Sequence, residues 1–354
     1  MRASLRTRTA RRRHQRGAAL LTAMVIVSLI ATMAAAMIWQ QWRAVQIEAA
    51  ERAQNQAQWI LYGALDWANL ILREDLRDNV REGHGDHLGE PWAVPLADAR
   101  LSTFLAADRD NSDDAPDAFL QGRITDAQAR YNLSNLVRHG KIVPAEQDSL
   151  KRLCETIGLP PQVGERLADA LLRASPVTSA DVAAAASAPE STPVTSSASS
   201  HSTNDTDTPL LPPSIEQLNW LGLDAKTVAA LKPYVTLLPK PTQLNLNTAA
   251  KEVIAAVVKG ADLASAERLV QARQLKPLKA VDDARDALGA AAVLDPARLG
   301  VASNYFEVSG ALRTNDLIVA QRSLIERIPS TLEVHTLRTE RINPALFQSG
   351  PNGP

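Results

Sequence analysis

The hydrophobic and polar positions divide this chain into a few distinct regimes. From Ala18 to Ile38, 21 consecutive positions carry no charged residue. At about 1.5 Å of rise per residue, such a run covers a hydrocarbon core of about 30 Å as a helix. The helical pattern does not stop there, because no proline occurs before Pro91. In this continuation Leu61, Leu65, Ala68 and Leu72 recur at spacings of 4, 3 and 4, which places them on one helical face. Ile60, Ala64, Trp67 and Ile71 widen the stripe. The pattern predicts one helix from Ala18 to about Arg81, roughly 95 Å long, apolar all round in its first half and amphipathic in its second.

Further along, GRITDAQARYNLSNL (122–136) reads as a strand followed by a turn into helix, and helical segments are expected at 144–157 and 160–173. Residues 176–211, rich in Ala, Ser, Thr and Pro, lack the bulky apolar side chains needed to offset the entropy of ordering, so they read as a disordered insertion. Short helices are expected near 214–220, 224–231, 247–259, 262–274, 280–288 and 295–299, and strands near 304–312, 316–327 and 331–338. The order helix, strand, helices, strands requires a helical insertion within an α/β body.

Charge gives the long helix a direction. The 17 residues before Ala18 hold seven arginines and no acid, and the positive-inside rule keeps such a flank cytoplasmic. The body that follows is then exported. Ala34, Ala35 and Ala36 offer a small-x-small cleavage site, but the apolar run is longer than a signal core and continues without a turn. The leader contains 7 of the 38 basic residues and none of the 39 acidic ones, leaving the remainder at a formal −8. An acidic body is a poor electrostatic partner for nucleic acid. Cys154 is the only cysteine, which excludes an internal disulfide, and its setting in LKRLCETIGL reads as a buried small apolar residue.

Two acidic segments invite a metal reading. His84, Asp86, His87 and Glu90 cluster in REGHGDHLGEPW, but the flanking glycines and absent helical context favour a solvated loop. In FLAADRDNSDDAPDAF an EF-hand would need Gly and Glu where Asp113 and Phe119 stand, so a charged surface loop is expected. No metal is assigned to either. The His-Glu-x-x-His, Gly-x-Ser-x-Gly and Ser-x-x-Lys patterns are absent, so the chain reads as an interaction-making protein and not an enzyme.

The basic leader, Gly17, the apolar run and its amphipathic continuation together resemble the class III signal of type IV pilins and type II secretion pseudopilins. That resemblance implies cleavage by prepilin peptidase between Gly17 and Ala18, N-methylation of Ala18, and retention of the helix as a fibre core. The fifth mature residue is usually Glu, which pairs with a neighbour's terminal amine; here it is Thr22, and the K-type minor pseudopilin is the member that characteristically lacks that Glu. EPWAVPL (90–96), GRITDAQARYNLSNL, LNLNTAAKEVIAAVV (244–258) and SNYFEVSG (303–310) resemble, in order, the motifs of that K-type family.

The family implies an α/β pilin-like fold: a long N-terminal helix, its first half transmembrane, over a small antiparallel sheet that is interrupted by an all-helical domain of two SAM-like units. The expected division is a removed leader (1–17), a transmembrane helix (18–38), a body (39–135 and 301–345), helical units at 136–175 and 212–300, and the disordered insertion between them. It implies a single-pass inner-membrane protein with its body in the periplasm, capping a pseudopilus tip and priming its assembly. Expected partners are the I- and J-type minor pseudopilins, the major pseudopilin, the inner-membrane assembly platform and prepilin peptidase, with Leu61, Leu65, Ala68 and Leu72 as the face for partner helices. Family members bind calcium through an acidic segment after the first helical unit. RASPVTSADVAAAASAPE stands there instead, so the calcium site is not carried over and no cofactor is expected.

A rival class remains. Residues 244–283 resemble a helix-hairpin-helix, which would make the chain an exported, membrane-anchored DNA-binding protein using Arg268, Arg273 and Lys276. Its turn, Gly260-Ala261-Asp262, lacks the second glycine and places an acid where the phosphate would lie.

Overall fold

A computed structural model of the chain describes residues 11–101, 118–175, 210–314 and 317–345, with side chains from residue 18 onward. The first ten leader residues, most of the acidic segment at 104–119 and nearly all of the expected disordered insertion lie outside the described residues. The chain divides into two compact units, Met1–Ile60 and Leu61–Pro354.

The first unit is helix throughout its described part. It belongs to α1 (Arg11–Glu82), whose 72 residues begin inside the leader and end one residue beyond the expected Arg81. An 18-residue window of this helix reaches a mean hydropathy of 2.3 with none of it buried, so it is long and apolar enough to cross a membrane. Its hydroxyls make that solvent tolerable. Thr22 Oγ1 donates to the carbonyls of Ala18 (3.1 Å) and Ala19 (2.9 Å), Ser28 Oγ to Met24 (2.8 Å) and Thr32 Oγ1 to Leu29 (2.9 Å). None needs a partner from outside the helix. Just past the apolar run, Trp39 and Trp42 pack with ring centroids 5.5 Å apart, a composition suited to a membrane–water interface.

In the second unit, the remainder of α1 lies over a five-stranded antiparallel sheet with the order β1 (Leu96–Arg100), β2 (Phe119–Asp126), β3 (Tyr305–Arg313), β4 (Ile318–Ile328) and β5 (Glu333–Ile342). Sequence pattern foretold β2 through β5 to within a few residues, whereas β1, with the polar string LADAR, carried no alternation to find it by. Leu65, Ala68 and Leu72 pack on Phe306, Val308, Ile325, Val334 and Trp92. Trp92 meets Phe306 edge-on at 5.1 Å, the arrangement that aromatic quadrupoles favour.

Residues 127–304 form the insertion between β2 and β3. Among the described residues its helices are α2 (Pro144–Thr156), α3 (Gln162–Ala174), α4 (Ala225–Leu231), α5 (Lys251–Val257), α6 (Leu263–Leu275) and the single turn α7 (Arg285–Leu288). They share one core that includes Leu150, Leu153, Leu167, Val253, Ile254 and Leu269. Cys154 is buried there as expected, and burial pushes its thiol up to about 11. Two expectations need correction. The stretch after β2 forms 3-10 turns instead of α-helix, because Asp126 and Asn132 side chains accept from Gln128 N and Ser134 N and hold the backbone in short caps. Residues 295–299 form a turn leading into a two-residue parallel pair, Leu244–Asn245 with Leu299–Gly300.

The seam under α1 sets a testable magnitude. Leu72 is fully buried against the sheet, so Leu72→Ala should cost about 2–5 kcal/mol. Leu70 is exposed on the opposite side, and Leu70→Ala should change stability by no more than about 0.5 kcal/mol. Denaturant unfolding of the detergent-solubilised chain, followed by tryptophan fluorescence, compares the two.

Candidate assembly surface and buried polar junction

The expected processing residues Gly17 and Ala18 both lie within α1, and Ala18 is exposed. Thr22 is exposed one turn later, but its hydroxyl is already bonded to two carbonyls of its own helix. A threonine in that state keeps acceptor lone pairs but offers a neighbour no carboxylate and no counter-charge.

The expected partner-helix face is a correction. Leu61, Leu65, Ala68 and Leu72 are each at most 6% exposed. Leu65, Ala68 and Leu72 form the seam onto the chain's own sheet, and the Leu61 carbonyl accepts from Gln321 Nε2 of β4 at 3.1 Å. An amphipathic stripe reports that something covers it, and here the cover is intramolecular. The side of α1 turned to solvent within the second unit carries Tyr62, Trp67 and Leu70, at 38%, 49% and 56% exposure. Trp67 and Leu70, three positions apart, form one apolar step on that face. Beyond them the surface becomes ionic, with Glu74 paired to Arg77 and Asp78 to Arg81.

Where α1 ends, four segments meet in a buried polar junction. Asp75 and Asn79 come from α1, Asp86 and Glu90 from the loop after it, Asp126 from the end of β2, and Arg327 from β4. Arg327 Nη1 donates to Asp75 Oδ2 at 2.6 Å and Nη2 to Asp86 Oδ1 and to the Ser303 carbonyl, the latter at 2.7 Å. The guanidinium also stacks over Phe306, 4.3 Å from the ring centroid. Asn79 Nδ2 donates to both Asp75 and Asp86. Asp86 Oδ2 accepts from Ser303 N at 2.6 Å. Glu90 Oε2 accepts from His87 N at 3.0 Å and from Trp92 Nε1 at 2.6 Å. Asp126 Oδ2 accepts from Ser303 Oγ, Thr248 Oγ1 and Asn245 Nδ2, while Asn245 Nδ2 also reaches the Asp86 carbonyl. The insertion is thereby tied to the helix and to the sheet. Gly85 permits the close approach, since a Cβ there would lie 2.3 Å from the Val301 carbonyl oxygen.

This arrangement corrects the expectation of a solvated loop at 81–92. Asp86 is 1% exposed and Glu90 9%, whereas His84 points to the surface. Burial chiefly raises the carboxyls of Asp75, Glu90 and Asp126 above their ordinary values, Asp75 to about 7. It also lowers His87, so that imidazole adds little compensating charge. Oxygens of Asp75, Asp86 and Glu90 lie within 4.8 Å of one another, the spacing of a cation site. Arg327 binds both Asp75 and Asp86 from within, and so supplies positive charge at the place a cation would take. Of the segment that stands in place of the family's calcium ligands (173–190), all but the first three residues lie outside the described residues.

Sequence reasoning missed Asp75, Asp126, Asn245, Ser303 and Arg327. A signal for most of them existed. Glu90 and Trp92 stand in EPWAVPL, Asp126 in GRITD, Asn245 and Thr248 in LNLNT, and Ser303 and Phe306 in SNYF. The segments that carried the resemblance converge on this junction. The YNLSNL asparagines do similar work nearby, Asn132 bridging to Lys240, Thr242 and Leu238 and Asn135 to Thr242.

In the helix-hairpin-helix-like region one of the three named cations, Arg273, serves the interior, while Arg268 and Lys276 are exposed. Arg273 is buried, donates to the Leu246 carbonyl at 2.5 Å and is pushed down to about 10 by burial. Arg268 Nε reaches the Ala287 carbonyl at 3.2 Å. Asp262 caps α6 through a reciprocal bond pair with Ser265, filling the position a phosphate would need. Gly260 has φ +86°, and a Cβ would lie 2.1 Å from the Ala291 carbonyl oxygen, so the turn is closed against the chain itself. No phosphate cradle is left at this turn.

Known proteins give the arrangement its context. The family described as type II secretion system (T2SS), protein K matches residues 129–240 with one domain and 244–308 with a second. The type II secretion system protein K of Pseudomonas aeruginosa is 31% identical over 278 residues, 77% of this chain and 76% of its own length. That of Klebsiella pneumoniae is 30% identical over 161 residues, 44% of each chain. Among solved structures, a chain of the GspK–GspI–GspJ complex from the enterotoxigenic Escherichia coli type 2 secretion system aligns with a TM-score of 0.58 at 21% identity, covering 83% of this chain and 98% of that one. Its fold, like this one, is a pilin-like α/β body with an inserted helical domain. The chain thus belongs to the type II secretion system protein K family.

Proposed function

We propose that the chain is a minor pseudopilin that caps the tip of a periplasmic pseudopilus and primes its assembly. In this reading α1 anchors the precursor in the inner membrane with the arginine-rich leader in the cytoplasm, and the body beyond Trp39 and Trp42 is periplasmic. Prepilin peptidase cuts between Gly17 and Ala18 and methylates Ala18. Thr22 then leaves the amine of a subunit above without a counter-charge, which favours a position with no such subunit. The insertion of residues 127–304 into the sheet connection adds bulk that a repeating fibre subunit would have to accommodate.

The observation that carries the assignment of partners is the two-sided use of α1. Its leucine stripe is consumed by the chain's own sheet, while Tyr62, Trp67 and Leu70 stay on the solvent side. We assign that solvent side to the helices of the I- and J-type minor pseudopilins, in keeping with the complex in which the E. coli relative was solved. The major pseudopilin and the inner-membrane assembly platform complete the set of partners. Function by assembly, without catalysis, follows from this reading.

Edman or mass-spectrometric sequencing of the membrane-extracted mature protein should read methyl-Ala18 as its first residue. A start after any of Ala34–Ala36 would refute retention of the helix. Gly17→Leu should leave the leader uncut and secretion impaired, and normal processing of that variant would refute the peptidase assignment. Leu70→Glu should abolish co-purification with the I-type partner, because a charge is placed in an apolar contact, while stability moves by no more than about 0.5 kcal/mol. Undiminished co-purification would move the partner face elsewhere.

A further inference from the structure

The polar junction at the end of α1 contains a charge imbalance that the assembly role does not use. Asp75, Asp86, Glu90 and Asp126 converge there; Arg327 is the only arginine or lysine bonded to any of them among the described residues, and the His87 ring stands 4.0 Å from Glu90. Three of the acids place oxygens within 4.8 Å of one another. Their side chains are at most 10% exposed, so water screens little of the repulsion. Two or more carboxylates at such a distance, against one guanidinium, cannot all remain ionised at low cost; the ordinary resolution is a retained proton.

We propose that Asp75, Glu90 and Arg327 form a proton-linked clamp around Asp86, in which a proton held between Asp75 and Glu90 locks the last turns of α1 and the following loop onto the sheet and the insertion, and its loss loosens that attachment.

The groups facing Asp75 support this from each side. On its own helix Asn79 is neutral and bonds both Asp75 and Asp86. From the loop come Asp86 and Glu90, whose charges oppose ionisation of Asp75, and His87, which burial keeps toward the neutral form. From β4, Arg327 favours the ionised form, and from β2, Asp126 adds a further acid through Ser303 and Asn245. Burial, Glu90 and Asp86 outweigh Arg327, and Asp75 is raised to about 7. A folded carboxyl raised above its unfolded value stabilises fully below that unfolded value. The stabilisation is lost as pH rises toward about 7 and changes no further above it. The mechanism is local and does not rest on the identity of the partners.

The test is hydrogen–deuterium exchange on the full-length chain in detergent, from about pH 5 to about pH 8, corrected for the intrinsic exchange rate. Protection of residues 72–90 should fall with rising pH by up to about tenfold per unit, the limit for one proton, and level off above about pH 7. Asp75→Asn, which keeps a neutral side chain at every pH, should flatten that dependence, and Glu90→Gln should reduce it. A pH-independent wild-type profile, or an Asp75→Asn profile as steep as wild type, would overturn the proposal. Infrared difference spectra of the wild type guard against a variant that does not fold: a protonated-carboxyl carbonyl band should be present at about pH 6 and gone at about pH 8. Absence of that band overturns the clamp. So does a pH dependence that calcium chloride abolishes and a chelator restores, since the carboxyls would then hold a metal ion.

Discussion

One guanidinium holds the second unit together at its busiest point. Arg327 on β4 bonds Asp75 of α1, Asp86 of the following loop and the carbonyl of Ser303 at the end of the insertion. Taking a charge of either sign out of water costs several kcal/mol, and the mutual attraction offsets this only when the geometry and the accompanying hydrogen bonds are good. That condition couples the segments. The helix end cannot move without leaving Arg327 or Asp86 unpaired, and Asp86 cannot move without releasing Ser303 N and the Asn245 amide. The hydrophobic seam from Leu65 to Trp92 and Phe306 supplies the bulk of the burial. The junction determines where along the sheet that seam stops.

The helix is suited to two solvents along one backbone. Its first part satisfies every described hydroxyl internally, through Thr22, Ser28 and Thr32, as a lipid-exposed helix must. Its later part buries a leucine stripe against strands and leaves Trp67 and Leu70 outside. An intramolecular seam on one side leaves the other side uncovered within the chain. A fibre subunit that offered its only apolar stripe to neighbours would have nothing left to hold its own sheet.

Much of this architecture was legible in the sequence because it rests on period and punctuation. The uncharged run at 18–38, the stripe beginning at Leu61 and the alternation of YFEVSGALR each encode local geometry in consecutive residues. The helices after Pro144 and Asp262 begin where proline or a capping aspartate marks them. What could not be read is which surface covers which. The stripe at Leu61–Leu72 announces burial equally well against a partner or against the chain itself. Asp86 and Glu90, set among glycines and histidines, look like solvated loop residues. Their partner Arg327 is 241 positions from Asp86, and no local pattern reports a contact of that separation. The 3-10 turns after β2 escaped for a related reason, since side-chain caps at Asp126 and Asn132 compete with helix without leaving a periodic trace.

The strings by which the chain resembles its family turn out to lie mainly inside. Asp126, Asn245, Thr248 and Ser303 bond to one another in the junction, and Asn132, Asn135 and Asn247 stitch loops of the insertion. None of them is a surface residue that a partner would touch. A buried polar group tolerates few replacements, because losing one partner strands the other at a cost of about 1–3 kcal/mol. A residue as exposed as Leu70 is constrained far less by the fold and can change more freely. For a protein that works by assembling, the recognisable residues are therefore expected to report how the body is built, while the residues that choose its neighbours carry little family signature. The functional surface has to be found from the structure, by asking which apolar side chains the fold itself leaves uncovered.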